Sequence, residues 1–65
     1  MEKSIQLLQS EITILRFLHN SIFETREEMK GRLSYEVLSS MNKAMISLID
    51  EIAKKEVEIE ILQVV

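Results

Sequence analysis

Sixty-five residues are enough for one domain, and a chain this short buries only a modest fraction of its surface when it folds. The chain has no cysteine and a single histidine, which excludes disulfides, thiolate metal sites and histidine-rich zinc sites. Its net charge of −3, without a basic run, disfavours nucleic-acid binding. Oligomerisation is therefore the support that we expect such a small fold to use.

The hydropathy pattern indicates in which cellular compartment the protein is expected. The chain contains no stretch of about 18 uncharged apolar residues, so we expect no transmembrane helix. After Ser4 the sequence becomes amphipathic and lacks the unbroken apolar region of a secretory signal. We therefore expect a cytoplasmic protein, which agrees with the lack of cysteine.

The first predicted element is a helix from about residue 3 to residue 30. Residues that recur at alternating spacings of three and four form the a/d pattern of a heptad repeat along one side of a helix. We call this set the seam of helix 1: Ile5, Leu8, Ile12, Leu15, His19, Ile22, Arg26 and Met29. Ser4 is a candidate N-cap of this helix.

A break near Asn20 and Ser21 is the alternative to one long helix. Ser21 and Glu24 have the spacing of a capping box, in which a serine precedes a glutamate by three residues. We favour a continuous helix, because Ile22 and Met29 keep the register of the seam and no glycine or proline enforces a stop.

A short turn over residues 31–33 is predicted next. Lys30 followed by Gly31 is typical of a helix end, since the cation complements the helix dipole and glycine tolerates the left-handed conformation. Ser34 is the predicted N-cap of helix 2, and Glu36 in its first turn complements the dipole there.

Helix 2 is predicted from about residue 34 to residue 63. The seam of helix 2 consists of Leu38, Met41, Met45, Leu48, Ile52, Lys55, Ile59 and Leu62. Residues 56–61 also alternate between acidic and β-branched side chains, as a half-buried strand does. We favour helix there, because the seam continues through this segment and a lone strand has nothing to pair with.

Two helices of matched length joined by a short turn predict an all-α fold, an antiparallel two-helix hairpin that forms one domain over residues 1–65. Further apolar residues lie outside the seams, and a lone hairpin cannot cover them. The outer stripe of helix 1 is Leu7, Ile14, Phe17 and Leu18, and the outer stripe of helix 2 is Ile46, Ile49, Ala53, Val57 and Ile61. We expect these residues to bind a partner. Two hairpins then form a dimeric four-helix bundle, or one hairpin binds a helix of another protein.

The polar members of the seams have two interpretations each. His19 is either a histidine packed at the edge of the core, which we favour, or a pH-sensitive group. Lys55 is either a lysine whose stem covers apolar surface, which we favour, or a selector of register and oligomeric state.

No residue pattern indicates catalysis. The acidic cluster of residues 50–60 lacks the Glu-x-x-His motif of di-iron bundles, and a single glycine cannot form a phosphate-binding loop. The hydroxyls of Thr25 and Ser39 have no base nearby in the sequence. We therefore expect no enzymatic activity, no cofactor, no metal and no small-molecule substrate.

The predicted function is that of a small protein-protein interaction module, which acts as a regulator, adaptor or chaperone through its apolar helix faces. One alternative is a nucleic-acid-binding hairpin dimer that uses the basic turn end, with Arg26, Lys30 and Arg32. The other alternative is a purely structural oligomerisation element.

Overall fold

The computed structural model describes residues 2–64, with the side chains of residues 4–64. The chain forms two helices, α1 (Glu2–Glu28) and α2 (Tyr35–Val64), joined by residues 29–34. The helices pack side by side as a hairpin whose Cα atoms extend over 49 × 14 × 10 Å. The predicted all-α helical hairpin is confirmed.

Both helices are continuous at the two places where the sequence leaves alternatives. α1 passes through Asn20 and Ser21 without a break, and residues 56–61 are helical. In each case the seam explains the outcome. Ile22 and Ile59 are half-buried between the helices, and only the helical period keeps them there.

The two seams form the contact between α1 and α2. The buried side chains among residues 4–64 are Leu8, Ile12, Met45 and Ile52, all of them seam residues. The other seam residues are half-buried, except Met29, which is exposed because α1 ends one residue before it. Heptad spacing therefore predicts the inward face of each helix correctly.

The helix ends differ from the predicted ones. α1 begins at Glu2, so Ser4 lies within its first turn and is not the N-cap. α1 ends at Glu28, two residues early, and Gly31 does not have a positive φ. Instead, the carbonyl of Met29 accepts the N–H of Arg32 at 2.8 Å, which closes the turn without a left-handed residue.

The start of α2 is capped as the sequence predicts. The backbone N–H of Val37 donates a hydrogen bond to Oγ of Ser34 at 3.3 Å. This bond satisfies one of the four N–H groups that the first turn of a helix leaves without a backbone partner. The cap fixes where α2 begins, and it thereby limits the length of the turn.

Gly31→Ala is expected to stabilise the hairpin. A Cβ added at Gly31 meets nothing within 4 Å, and no positive φ opposes an L side chain there. Alanine removes conformational freedom from the unfolded chain, so the free energy of unfolding should rise by about 0.4–1 kcal/mol. Urea denaturation followed by circular dichroism measures this change.

Ser34→Ala is the matched control in the same turn. It introduces the same residue but removes the cap, so the free energy of unfolding should fall by about 1 kcal/mol. A lower urea midpoint for Gly31→Ala would show that the turn requires glycine after all.

Candidate protein-interaction surface

The hairpin exposes more large apolar side chains than it buries. Four side chains are buried among residues 4–64, whereas thirteen large hydrophobic side chains in the same range are exposed. The exposed ones are Leu7, Ile14, Phe17, Leu18, Phe23, Met29, Tyr35, Val37, Ile46, Ile49, Val57, Ile61 and Val64. Two helices side by side leave the outward faces of both in water, and here those faces carry large apolar side chains among the polar ones.

The outer stripes predicted from the sequence are exposed throughout. In α1, Leu7 is 63% exposed and Phe17 is 69% exposed. In α2, every member of the stripe is exposed, including the small Ala53. Val64 lies three residues beyond Ile61 and extends this stripe towards the end of the helix. Because these residues are exposed, a partner could contact them, and their binding to a partner stays a prediction.

Besides Met29 and Val64, three exposed large apolar residues lie outside the predicted set of binding residues. Phe23 follows a seam residue of α1, and the guanidinium carbon of Arg26 lies 5.9 Å from the centre of its ring. Tyr35 and Val37 lie in the first turn of α2. Phe23 could have been found from the sequence, because it lies next to a seam residue. Tyr35 and Val37 precede the first seam residue of α2, so the heptad pattern does not indicate their exposure.

The two outer stripes border opposite faces of the hairpin. Ile49 and Ala53 line a shallow depression together with Arg16 of α1. Ile14 lines another one, with Glu11 and the stem of Lys55. Because Glu11 precedes a seam residue and Arg16 follows one, they lie on opposite sides of the seam. A single flat partner therefore cannot cover both outer stripes.

Each of these two faces carries an ion pair that joins the helices. On one face Nη2 of Arg16 lies 3.2 Å from Oε2 of Glu56, and on the other Nζ of Lys55 lies 3.2 Å from Oε2 of Glu11. Exposed pairs of this kind contribute about 0.2–1 kcal/mol each. Their main effect is to favour one register of α1 against α2.

Lys55 is partly covered at the seam and also contacts the other helix. Its side chain is 20% exposed, so the stem covers apolar surface, and its ammonium reaches Glu11 on the other helix. The contact joins α2 to α1. A role of Lys55 in selecting the register or the oligomeric state stays a prediction.

Asp50 and Lys54 form an ion pair within α2, beside its outer stripe. Nζ of Lys54 lies 3.2 Å from Oδ2 of Asp50 and 4.0 Å from Oε1 of Glu51. The hydrogen bond that Lys54 donates to Asp50, followed by the negative charges of Asp50 and Glu51, raises the pKa of Lys54. The outer stripe of α2 therefore has charges of both signs along this edge.

One cation of the basic turn end, Arg26, makes several contacts within the hairpin. Arg26 donates a hydrogen bond from Nη1 to Oδ1 of Asn42, lies 3.4 Å from Oε2 of Glu27 and contacts the ring of Phe23. The other cations of the turn end are exposed. Arg26 is the most buried cation of this end, and its guanidinium joins the two helices. This contact does not favour a role for Arg26 in binding nucleic acid.

The depressions of the surface do not form an enclosed site. His19 is half-buried and lines one of them with Arg16 and Glu56. Within the range that the structure describes, no three histidine, aspartate or glutamate side chains come close enough together to hold a metal ion. Neither α1 nor α2, over residues 2–64, is long and apolar enough to cross a membrane.

Comparison of this chain with protein-family models, curated proteins and solved structures found no match.

Proposed function

We propose that this chain is a non-enzymatic protein-protein interaction module whose exposed helix faces are covered by other helices. The observation that carries the proposal is the excess of exposed over buried apolar side chains, thirteen against four among residues 4–64. Each large apolar side chain left in water forgoes about 1.5–3 kcal/mol of burial. Rows of exposed apolar side chains such as the two outer stripes are typical of interfaces.

The shape of the hairpin favours helices as partners. The hairpin is 49 Å long, and each outer stripe runs along one of its two helices. A helix laid along such a stripe buries residues at i, i+3, i+4 and i+7, which is how amphipathic helices are recognised. A second copy of the chain offers the same kind of surface, and two hairpins then form a four-helix bundle.

The position of the stripes on opposite faces supports an adaptor role. If a second copy covers one stripe, the other stripe remains exposed on the outside of the dimer. That second stripe is the surface on which the dimer would hold a helix of another protein, as a regulator or chaperone does.

Self-association is the expected result of light scattering on the purified chain. At tens of micromolar the mass should be about twice the 7.6 kDa of one chain. The thermal midpoint should rise with protein concentration, because folding and association are then linked. A monomer with full helix content and a midpoint independent of concentration would contradict the self-association.

A titration with RNA and DNA at two salt concentrations separates this proposal from nucleic-acid binding. Binding through the basic turn end would weaken steeply as salt rises, because counterions are released from the phosphates. We expect no such binding, since the net charge is −3 and Arg26 is engaged within the hairpin.

A further inference from the structure

The outer stripe of α2 makes this helix apolar on two sides. Its members follow one another at spacings of three, four, four and four, from Ile46 to Ile61. At 3.6 residues per turn these spacings keep them on one side of α2, from Ile49 beside the seam to Ile61 on the far side of the helix. The seam residues Met45 and Ile52 are buried against α1, whereas Ile46 is 66% exposed and Ile61 is 56% exposed. A helix with two apolar sides is suited to lie between two others.

We propose that the outer stripe of α2 packs against the same stripe of a second copy of this chain, antiparallel, with the two-fold axis beside Ala53. The proposal rests on the proposed function and adds the partner, the surface and the register.

The arrangement of side chains along the stripe is self-complementary about Ala53. Ile49 lies four residues before Ala53 and Val57 lies four residues after it. Two-fold symmetry therefore places Ile49 of one copy against Val57 of the second copy, and Ile46 near Ile61. At the axis, Ala53 of one copy faces Ala53 of the second copy, and these small side chains let the two helices approach closely.

The charges beside the stripe fit the same register. Asp50 and Lys54 lie along one edge of the stripe, 3.2 Å apart within one copy. In antiparallel helices the same edges face each other, so Lys54 of one copy lies near Asp50 of the other, about 3 Å apart along the axis. Along the opposite edge, Glu56 is already paired with Arg16 at 3.2 Å.

The outer stripe of α1 does not have this symmetry. Leu7 and Ile14 are seven residues apart, and the intervening Ser10 and Glu11 are polar. A two-fold axis beside Ile14 would place Leu18 against Ser10. The stripe of α1 is therefore the one that remains for a different helix.

Cysteine cross-linking tests the register directly, because the chain has no cysteine of its own. Ala53→Cys places two thiols at the axis, and a disulfide needs Cα atoms within about 7 Å. Under mild oxidation, most of this variant should shift from 7.6 kDa to twice that mass on a non-reducing denaturing gel. Val64→Cys is the matched control, since antiparallel packing separates its two copies by roughly 33 Å along the axis.

A mixture of two single variants gives an independent readout. Ile49→Cys and Val57→Cys chains should link to each other more than either links to itself. Efficient linkage of Val64→Cys would mean parallel packing and would overturn the proposal. So would a dimer by light scattering in which neither Ala53→Cys nor the mixture links, although the proposed function would then still hold. A chain that is monomeric by light scattering would overturn this proposal, and the proposed function would then rest on helices of other proteins alone.

Discussion

Ile52→Glu is expected to unfold the hairpin. Ile52 is 9% exposed and is one of the four buried side chains among residues 4–64. The change forgoes about 1.5–3 kcal/mol of apolar burial and places a carboxylate where it has no partner, which costs several kcal/mol more. A domain of this length is stable by roughly 3–10 kcal/mol in total. The measured result should be the loss of most of the helical circular dichroism signal at neutral pH.

Ile49→Glu is the matched control for this prediction. It changes the same residue type to the same charge in the same helix, three positions earlier, but its side chain is 53% exposed. Its helical signal should therefore stay close to that of the parent chain when both are compared at high protein concentration. If Ile52→Glu melts cooperatively near the parent midpoint, then the contact between α1 and α2 is not the core of this protein.

The seams could be predicted from the sequence because the helical period is a local property. Once a segment is helical, spacings of three and four fix which side chains share a side, whatever that side contacts. Leu8 and Ile12 on α1, and Met45 and Ile52 on α2, are buried for this reason. Met29 has the right spacing but is exposed, because the period applies only as far as the helix continues.

The end of α1 could not be predicted because several endings differ little in free energy. Lys30 and Gly31 favour a helix end by a few tenths of a kcal/mol to about 1 kcal/mol. The turn closed by the carbonyl of Met29 competes with that ending, and it leaves enough chain for Ser34 to cap α2. Which residue ends α1 depends on how the turn positions α2. The preferences of single residues for helix ends do not include that tertiary effect.

The register of α1 against α2 was also beyond the sequence. The side of the seam on which a stripe lies follows from spacing within one helix, but the axial alignment of the two helices does not. Sliding α2 by one heptad keeps apolar residues opposite each other and changes every polar contact. The pairs Arg16–Glu56 and Glu11–Lys55 belong to one register alone, which the heptad spacing of the separate helices does not contain.

The double variant Val57→Glu with Ile61→Glu is expected to abolish self-association while it leaves the hairpin helical. The two side chains are 52% and 56% exposed, so the contact between α1 and α2 does not depend on them. In a symmetric dimer each change occurs twice, and each lost side chain forgoes about 1.5–3 kcal/mol of burial. The added carboxylates also bring like charges into the interface, which opposes binding further.

Sedimentation and circular dichroism on the same samples decide the outcome. The double variant should sediment as one chain at concentrations where the parent is a dimer, with helix content nearly unchanged. Ile14→Glu with Leu18→Glu is the matched control on the outer stripe of α1, and it should remain dimeric because the second copy covers α2. If Val57→Glu with Ile61→Glu unfolds as completely as Ile52→Glu, the outer stripe of α2 is part of the core. The separation of a hairpin seam from an outer interface is then wrong.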